Sequence, residues 1–158
     1  MSNIPPAEKT PIRSRVLDML VLFHGSEQIV AIRPDVPAET VAFELCRLWI
    51  DHVFSPSMRY LDGVKGDHDE QAAERFIVAF TEEEYEWVER FHRFLELRID
   101  RLSDEQKTAC TFPINDTWRG ITQDAGNLLD LLDPTGSRKT KQVAEAMRSL
   151  VPDRSANE

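Results

Sequence analysis

The stretch Thr81–Leu102, TEEEYEWVERFHRFLELRIDRL, decides the fold because it specifies a long amphipathic helix. Thr81 and Glu84 have the spacing of a capping box, in which each side chain accepts a hydrogen bond from the other residue's backbone N–H. Large apolar residues then recur with the 3.6-residue period of a helix and predict one broad buried stripe: Trp87, Val88, Phe91, Phe94, Leu95, Ile99 and Leu102. The sequence therefore predicts that this helix buries an aromatic face against other helices.

A second segment, Ala38–Phe54, is apolar on nearly every side and has only a narrow polar strip of Glu44, Arg47 and Asp51. Neighbouring elements must enclose a helix of this kind. The residues expected in its core are Phe43, Leu45, Leu48, Trp49, Ile50 and Val53. We therefore expect a mainly α fold, a single-domain bundle of roughly five to seven helices around this central buried helix.

Residues 12–33 fit two patterns. Ile12, Val16 and Phe23 belong to a helical stripe, whereas Leu17 and Met19 begin an alternation that continues as in a strand. We favour the helix, with a β-hairpin over residues 15–33 as the alternative.

The chain has 158 residues, the length of one domain. The boundaries that we predict are a flexible, proline-containing lead over residues 1–11, a single helical domain over 12–151 and a disordered tail over 152–158.

The composition of the chain limits the classes of partner that it can bind. The chain is acidic, with a net charge of −9, and 41% of its residues are apolar, as in a soluble globular protein. Negative charge disfavours binding to nucleic acids or anionic membranes, so neither is predicted as a partner. The first residues lack the hydrophobic region of a signal peptide, so a cytoplasmic location is expected. Cys46 and Cys110 both lie beside apolar residues and are predicted to be buried free thiols.

Catalytic and metal motifs are absent from the sequence. It contains no glycine-rich dinucleotide loop, no P-loop, no G-x-S-x-G and no H-E-x-x-H. Glu89-x-x-His92 has the spacing of a di-metal carboxylate site, but the required second copy is missing, so a surface charge cluster is the simpler interpretation. We predict no metal, no cofactor and no catalytic residue, and we favour a non-enzymatic role while leaving an enzyme open.

Arg98 is the main irregularity of the long helix, since it falls inside the apolar stripe. A guanidinium keeps its charge, so it needs a carboxylate, an anionic ligand or a path to solvent. The ligand hypothesis places an anion pocket between the central helix and the loop 55–69. Its predicted lining is Trp49, His52, Arg59, Tyr60, His68 and Arg98.

The other hypothesis is a self-associating interaction module with a homodimeric or other protein partner. Leu97 projects from the charged side of the long helix, where Glu86–Arg90 and Glu89–Arg93 are predicted ion pairs. Leu131 projects in the same way from a later helix that ends at Leu132. Exposed apolar groups of this kind occur at interfaces, and we favour this hypothesis over the anionic-ligand protein.

Overall fold

The computed structural model describes residues 6–57 and 70–135. Within these ranges the chain forms seven α-helices and no strand, so the prediction of a mainly α bundle is confirmed. The helices are α1 (Pro6–His24), α2 (Ser26–Ile32), α3 (Ala38–Leu48), α4 (Glu70–Val78), α5 (Glu82–Asp100), α6 (Asp104–Ala109) and α7 (Asp116–Leu132). A π-helical turn, Trp49–Val53, continues α3. Arg59, Tyr60 and His68 lie outside the described residues.

The alternative of a β-hairpin over residues 15–33 is wrong. This segment forms most of α1 and all of α2, with Gly25 between them. Every residue from Val16 to Phe23 is buried, because other helices cover this part of α1 on all sides. The alternation that resembles a strand face is therefore part of an enclosed helix. α1 also begins at Pro6, within the segment 1–11 that was expected to be a flexible lead.

The centre of the bundle is shared by α1 and the Ala38–Phe54 segment. α1 packs against α2, α3, the π-helical turn, α4 and α7. The core residues predicted for Ala38–Phe54 are buried with one exception, Leu48, which is half-buried. Asp51 was placed in the narrow polar strip with Glu44 and Arg47, but unlike those two residues it is fully buried, with an exposure of 0%. The π-helical turn has more residues per turn than an α-helix, so it rotates Asp51 away from Glu44 and Arg47 and into the protein.

Phe23 joins four of the helices. Its ring centroid lies 6.4 Å from that of Trp49, 5.5 Å from that of Phe91 and 6.1 Å from that of Trp118. These are the distances of favourable edge and tilted aromatic pairs. The cluster fixes α1, the π-helical turn, α5 and α7 relative to one another.

The N-terminus of α5 is held by its predicted capping box and by an arginine from α1. Thr81 Oγ1 accepts from the Glu84 N–H at 3.1 Å, and Glu84 Oε1 accepts from the Thr81 N–H at 3.0 Å. Arg13 donates to the two Glu84 oxygens at 2.8 and 3.2 Å, and its guanidinium lies 5.2 Å from the Phe80 ring centroid. One side chain of α1 therefore links the start of α5 to the end of α4.

Three expectations about burial are wrong. Phe94 was placed in the buried stripe of α5, but its side chain is 47% exposed, and Trp87 is only half-buried. Cys110 was predicted to be a buried thiol but is exposed; it ends α6, a helix with no buried residue, in a left-handed conformation with φ of 56°. Cys46 is buried and free, as predicted.

Candidate functional site

An apolar face is exposed where α5 and α7 lie side by side. The helices run antiparallel, since Arg98 near the end of α5 meets Asp124 in α7, while Trp87 near the start of α5 shares a groove with Leu131 near the end of α7. The face consists of Arg90, Phe94 and Leu97 on α5 and Asp124, Asn127 and Leu131 on α7. We call these six residues the α5–α7 face.

The three apolar side chains of this face are half in solvent. Phe94 is 47% exposed, Leu97 53% and Leu131 48%. Arg90, Phe94 and Leu97 fall on one side of α5 because they are four and seven residues apart. A shallow groove of about 160 Å³ separates the two helices, and Phe94 and Leu131 both line it. The exposed position of Leu97 and Leu131 agrees with the sequence prediction.

Both signs of charge border the apolar groove. Arg90 comes from α5 and Asp124 from α7, and both line it. The predicted Glu89–Arg93 pair forms at 2.7 Å, whereas the described residues give Arg90 no ion pair, with Glu86 or with any other acid. Arg90 therefore keeps its charge available at this surface.

Arg98 does not enter the bundle interior. Its side chain is 24% exposed, lies 3.6 Å from the Asp124 carboxylate and places its guanidinium 5.7 Å from the Phe94 ring centroid. The stem crosses from α5 to α7 while the head stays at the surface, as long cationic side chains commonly do. Arg98 thus meets the carboxylate and the solvent that its charge requires.

A polar network lies in the interior on the other side of α5. Trp49 Nε1 donates to His92 Nδ1 at 3.0 Å, and the His92 ring stacks on Phe54 with centroids 3.9 Å apart. Because the indole N–H occupies Nδ1, the neutral ring carries its proton on Nε2, which faces the Glu96 carboxylate. His92 is only 4% exposed, so the interpretation of Glu89-x-x-His92 as a surface charge cluster is wrong.

A signal for His92 was present in the sequence. Val88, His92, Leu95 and Ile99 follow the spacing of a core-facing stripe, and all four are buried. Because histidine is polar, His92 was not counted among the buried residues of that stripe. Nothing comparable marks Asp51, because the π-helical turn that buries it has no sequence signature.

Of the residues proposed for an anion pocket, the structure describes three, and Arg98 lies apart from Trp49 and His52. Trp49 is fully buried in the aromatic cluster. His52 is half-buried in the π-helical turn, and its carbonyl accepts from Arg15 at 2.9 Å. Arg98 instead lines a cavity of about 470 Å³ at the end of α5, together with Arg101, Gln106 and Thr117.

The buried thiol of Cys46 and the half-buried phenol of Tyr85 are chemically quiet at neutral pH. Burial raises the pKa of the Cys46 thiol, so it is not a thiolate nucleophile. Burial, followed by the negative charge of Glu89, raises the pKa of Tyr85 to about 12. Across residues 6–57 and 70–135, no three His, Cys, Asp or Glu side chains come close enough to hold a metal ion.

None of the described helices is both long and apolar enough to cross a membrane. The cytoplasmic location expected from the sequence stays a prediction. No model of a protein family matches this chain, and neither a curated protein nor a solved structure matches it. The case for a function therefore depends on the surfaces and cavities described above.

Proposed function

We propose that this protein is a non-enzymatic helical interaction module that forms a homodimer through the α5–α7 face. The observation that carries the proposal is the exposure of three large apolar side chains on two adjacent helices: Phe94 and Leu131, which line one groove, and Leu97, which follows Phe94 on α5. Large apolar side chains grouped in this way are typical of protein interfaces, whereas single ones are common on monomers.

Charge supports a second copy as the partner. In a two-fold symmetric dimer, α5 of one copy can lie on α7 of the other, and each contact then occurs twice. Arg90 of one copy then faces the groove that Asp124 lines in the other copy, where Asp124 also lies 3.6 Å from Arg98, so one face supplies both signs of charge. A partner of uniform charge would meet one of these two residues as a like charge.

The size of the face sets the expected affinity. The 19 residues of α5 span about 28 Å, and two helices packed side by side are together about 20 Å wide. The face therefore offers on the order of 600 Å² per copy, the lower limit for specific interfaces. We accordingly expect a reversible dimer at micromolar concentration rather than an obligate one.

Sedimentation velocity over a series of protein concentrations tests the dimer. The wild type should move from monomer to dimer as concentration rises, whereas Phe94→Glu and Leu131→Glu should remain monomeric at every concentration. Ile32→Glu is the matched control, because Ile32 is 52% exposed on α2, away from the face, and should dimerise normally. A wild type that stays monomeric, or an Ile32→Glu variant that loses the dimer equally, would contradict the proposal.

Charge exchange tests the orientation of the two copies. Arg90→Asp should weaken the dimer, because it places a second carboxylate opposite Asp124. Adding Asp124→Arg should restore association. If the double variant is as weak as Arg90→Asp alone, the copies do not place these residues opposite each other.

A second candidate function, binding of an anionic small molecule, is favoured by the cavity at the end of α5. Arg98 and Arg101 both line it, and the described residues give Arg101 no ion pair. Citrate is a suitable probe, because its carboxylates match two guanidinium groups. Citrate should raise the melting temperature through mass action, and Arg101→Ala should remove that rise. Arg93→Ala is the control, because Arg93 pairs with Glu89 on the outer side of α5. Equal responses from the two variants would rule out this site.

A further inference from the structure

We infer that the cavity beside His24 and Ser26 binds a small uncharged molecule with an apolar body and one hydroxyl group, such as a phenol. The cavity has a volume of about 210 Å³ and lies between the α1–α2 junction, the start of α3 and the start of α7. It is separate from the α5–α7 face and does not depend on dimerisation.

Apolar side chains line the part of the cavity that would hold the apolar body of the ligand. Val30, Val41, Ala42 and Trp118 line the cavity, and Ile114, which is 46% exposed, stands at its edge. Concave sites with apolar walls and a few polar groups are the usual form of small-molecule pockets. The indole of Trp118 adds a flat surface suited to a ring.

Ser26 supplies a hydroxyl donor. Its side chain is 6% exposed and lines the cavity, and its oxygen accepts from Trp118 Nε1 at 3.3 Å. Within the described part of the chain no group accepts the Ser26 hydroxyl proton. A buried donor without an acceptor costs free energy, so a ligand oxygen in the cavity would remove that cost.

His24 supplies the matching acceptor. In the neutral tautomer whose Nδ1–H donates to the Thr122 carbonyl at 3.3 Å, Nε2 carries a lone pair. The Nδ1–Cε1 edge of the ring rests on Gly126, where an added Cβ would lie 2.5 Å from Nδ1. The opposite edge is therefore turned away from α7. Because His24 and Ser26 both line the cavity, a ligand hydroxyl there can donate to Nε2 and accept from Ser26, which a carbonyl or a methyl group cannot do.

Charge at the cavity favours an uncharged ligand. Glu27 lines it, and the Arg119 guanidinium is already paired with Asp116 at 2.9 Å. An anion would be repelled by the Glu27 carboxylate, and the lining cation Arg119 is shared with Asp116. A neutral hydroxyl compound meets no such repulsion.

The test uses 4-methylphenol and its isostere p-xylene, in which a methyl group replaces the hydroxyl. Amide and indole N–H resonances are followed by NMR during titration of the full-length protein. The phenol should shift the Trp118 indole and the Ser26 and Thr122 amide signals and bind at least about fivefold more tightly than p-xylene. Equal affinity for the two probes, or shifts located elsewhere, would overturn the inference.

Three variants assign the polar contacts. Ser26→Ala should weaken phenol binding about fivefold, and Gly126→Ala should weaken it similarly by displacing the His24 ring. Gly120→Ala is the matched control on the same helix, because a Cβ there meets only Arg98 Nη2 at an ordinary 3.5 Å. Wild-type binding by Gly126→Ala would overturn the inference even if Ser26→Ala failed to fold.

Discussion

Phe91 and Phe94 are three residues apart on α5 and have opposite environments. Phe91 is 6% exposed and packs against Phe23 and Trp49, with ring centroids 5.5 and 5.3 Å away. Phe94 is 47% exposed, lines the groove beside α7 and has the Arg98 guanidinium 5.7 Å from its ring centroid. The inner side of α5 completes the fold, whereas the outer side is apolar surface that the described chain leaves uncovered.

The comparison shows why hydrophobicity alone does not assign a role to a residue. Both rings lie in the same broad apolar stripe, and burying either one would be favourable. One bundle has enough neighbours to cover only part of that stripe. The uncovered part is available to a second molecule, which is the physical basis for the proposed dimer.

The largest expected effect is a difference in the free energy of unfolding between variants of the two rings. Phe91→Ala should lower the free energy of unfolding by about 3–5 kcal/mol, because it leaves a cavity at the aromatic cluster. Phe94→Ala should change the stability of the monomer by less than about 1 kcal/mol. Denaturant unfolding at a concentration that keeps the protein monomeric measures both. Similar losses in the two variants would contradict the division of α5 into an inner and an outer side.

The next prediction compares the interactions of two adjacent polar residues on α5, the buried His92 and the exposed Arg93. Trp49→Phe leaves His92 Nδ1 without its donor in the interior, so stability should fall by about 1–3 kcal/mol. Arg93→Ala removes an exposed ion pair and should cost about 0.5 kcal/mol or less. The same unfolding experiment compares them, and a loss from Arg93→Ala as large as that from Trp49→Phe would argue against the inner network.

A pH-dependent effect is expected at the start of α5, where Glu84 is only partly covered. Burial by itself would raise the pKa of Glu84, but hydrogen bonds from Arg13 and Thr81 and the charge of Arg13 outweigh it, so the pKa is lowered. The ionised Glu84 carboxylate therefore contributes its full stabilisation above its pKa in the unfolded chain, about 4.3. This stabilisation is lost as the pH falls through the lower pKa of Glu84 in the folded protein. At neutral pH the free energy of unfolding of the wild type should exceed that of Glu84→Gln by about 1 kcal/mol. This difference should disappear in acid. A gap that widens in acid would contradict the sign.

The smallest effect lies beyond α5, on the exposed surface. Cys110 has φ of 56°, which is costly for a residue with a Cβ but free of strain for glycine. Cys110→Gly should raise the melting temperature, corresponding to a gain of about 0.5–1 kcal/mol. Thr108→Gly, inside α6, should lower it by a similar amount. A loss of stability in Cys110→Gly would show that the side chain makes a contact that offsets the strain.

Several parts of the fold were predictable because their causes are local. The capping box of Thr81, the length of α5 and the helix over Ala38–Phe54 depend on residues close together in sequence. The exposed positions of Leu97 and Leu131 also follow from helical spacing. Of the candidate pocket, Arg98 was recognised as unusual, but its separation in space from Trp49 could not be predicted.

The sequence by itself determined that the chain is helical, where the main helices run, and that more apolar surface exists than one stripe requires. Only the tertiary structure decided which apolar residues stay exposed, that His92 and Asp51 lie inside, and that His24 and Ser26 share a cavity with Trp118. The physical reason is that helical period and capping act within a few residues. Burial depends instead on which distant helices are present to exclude water.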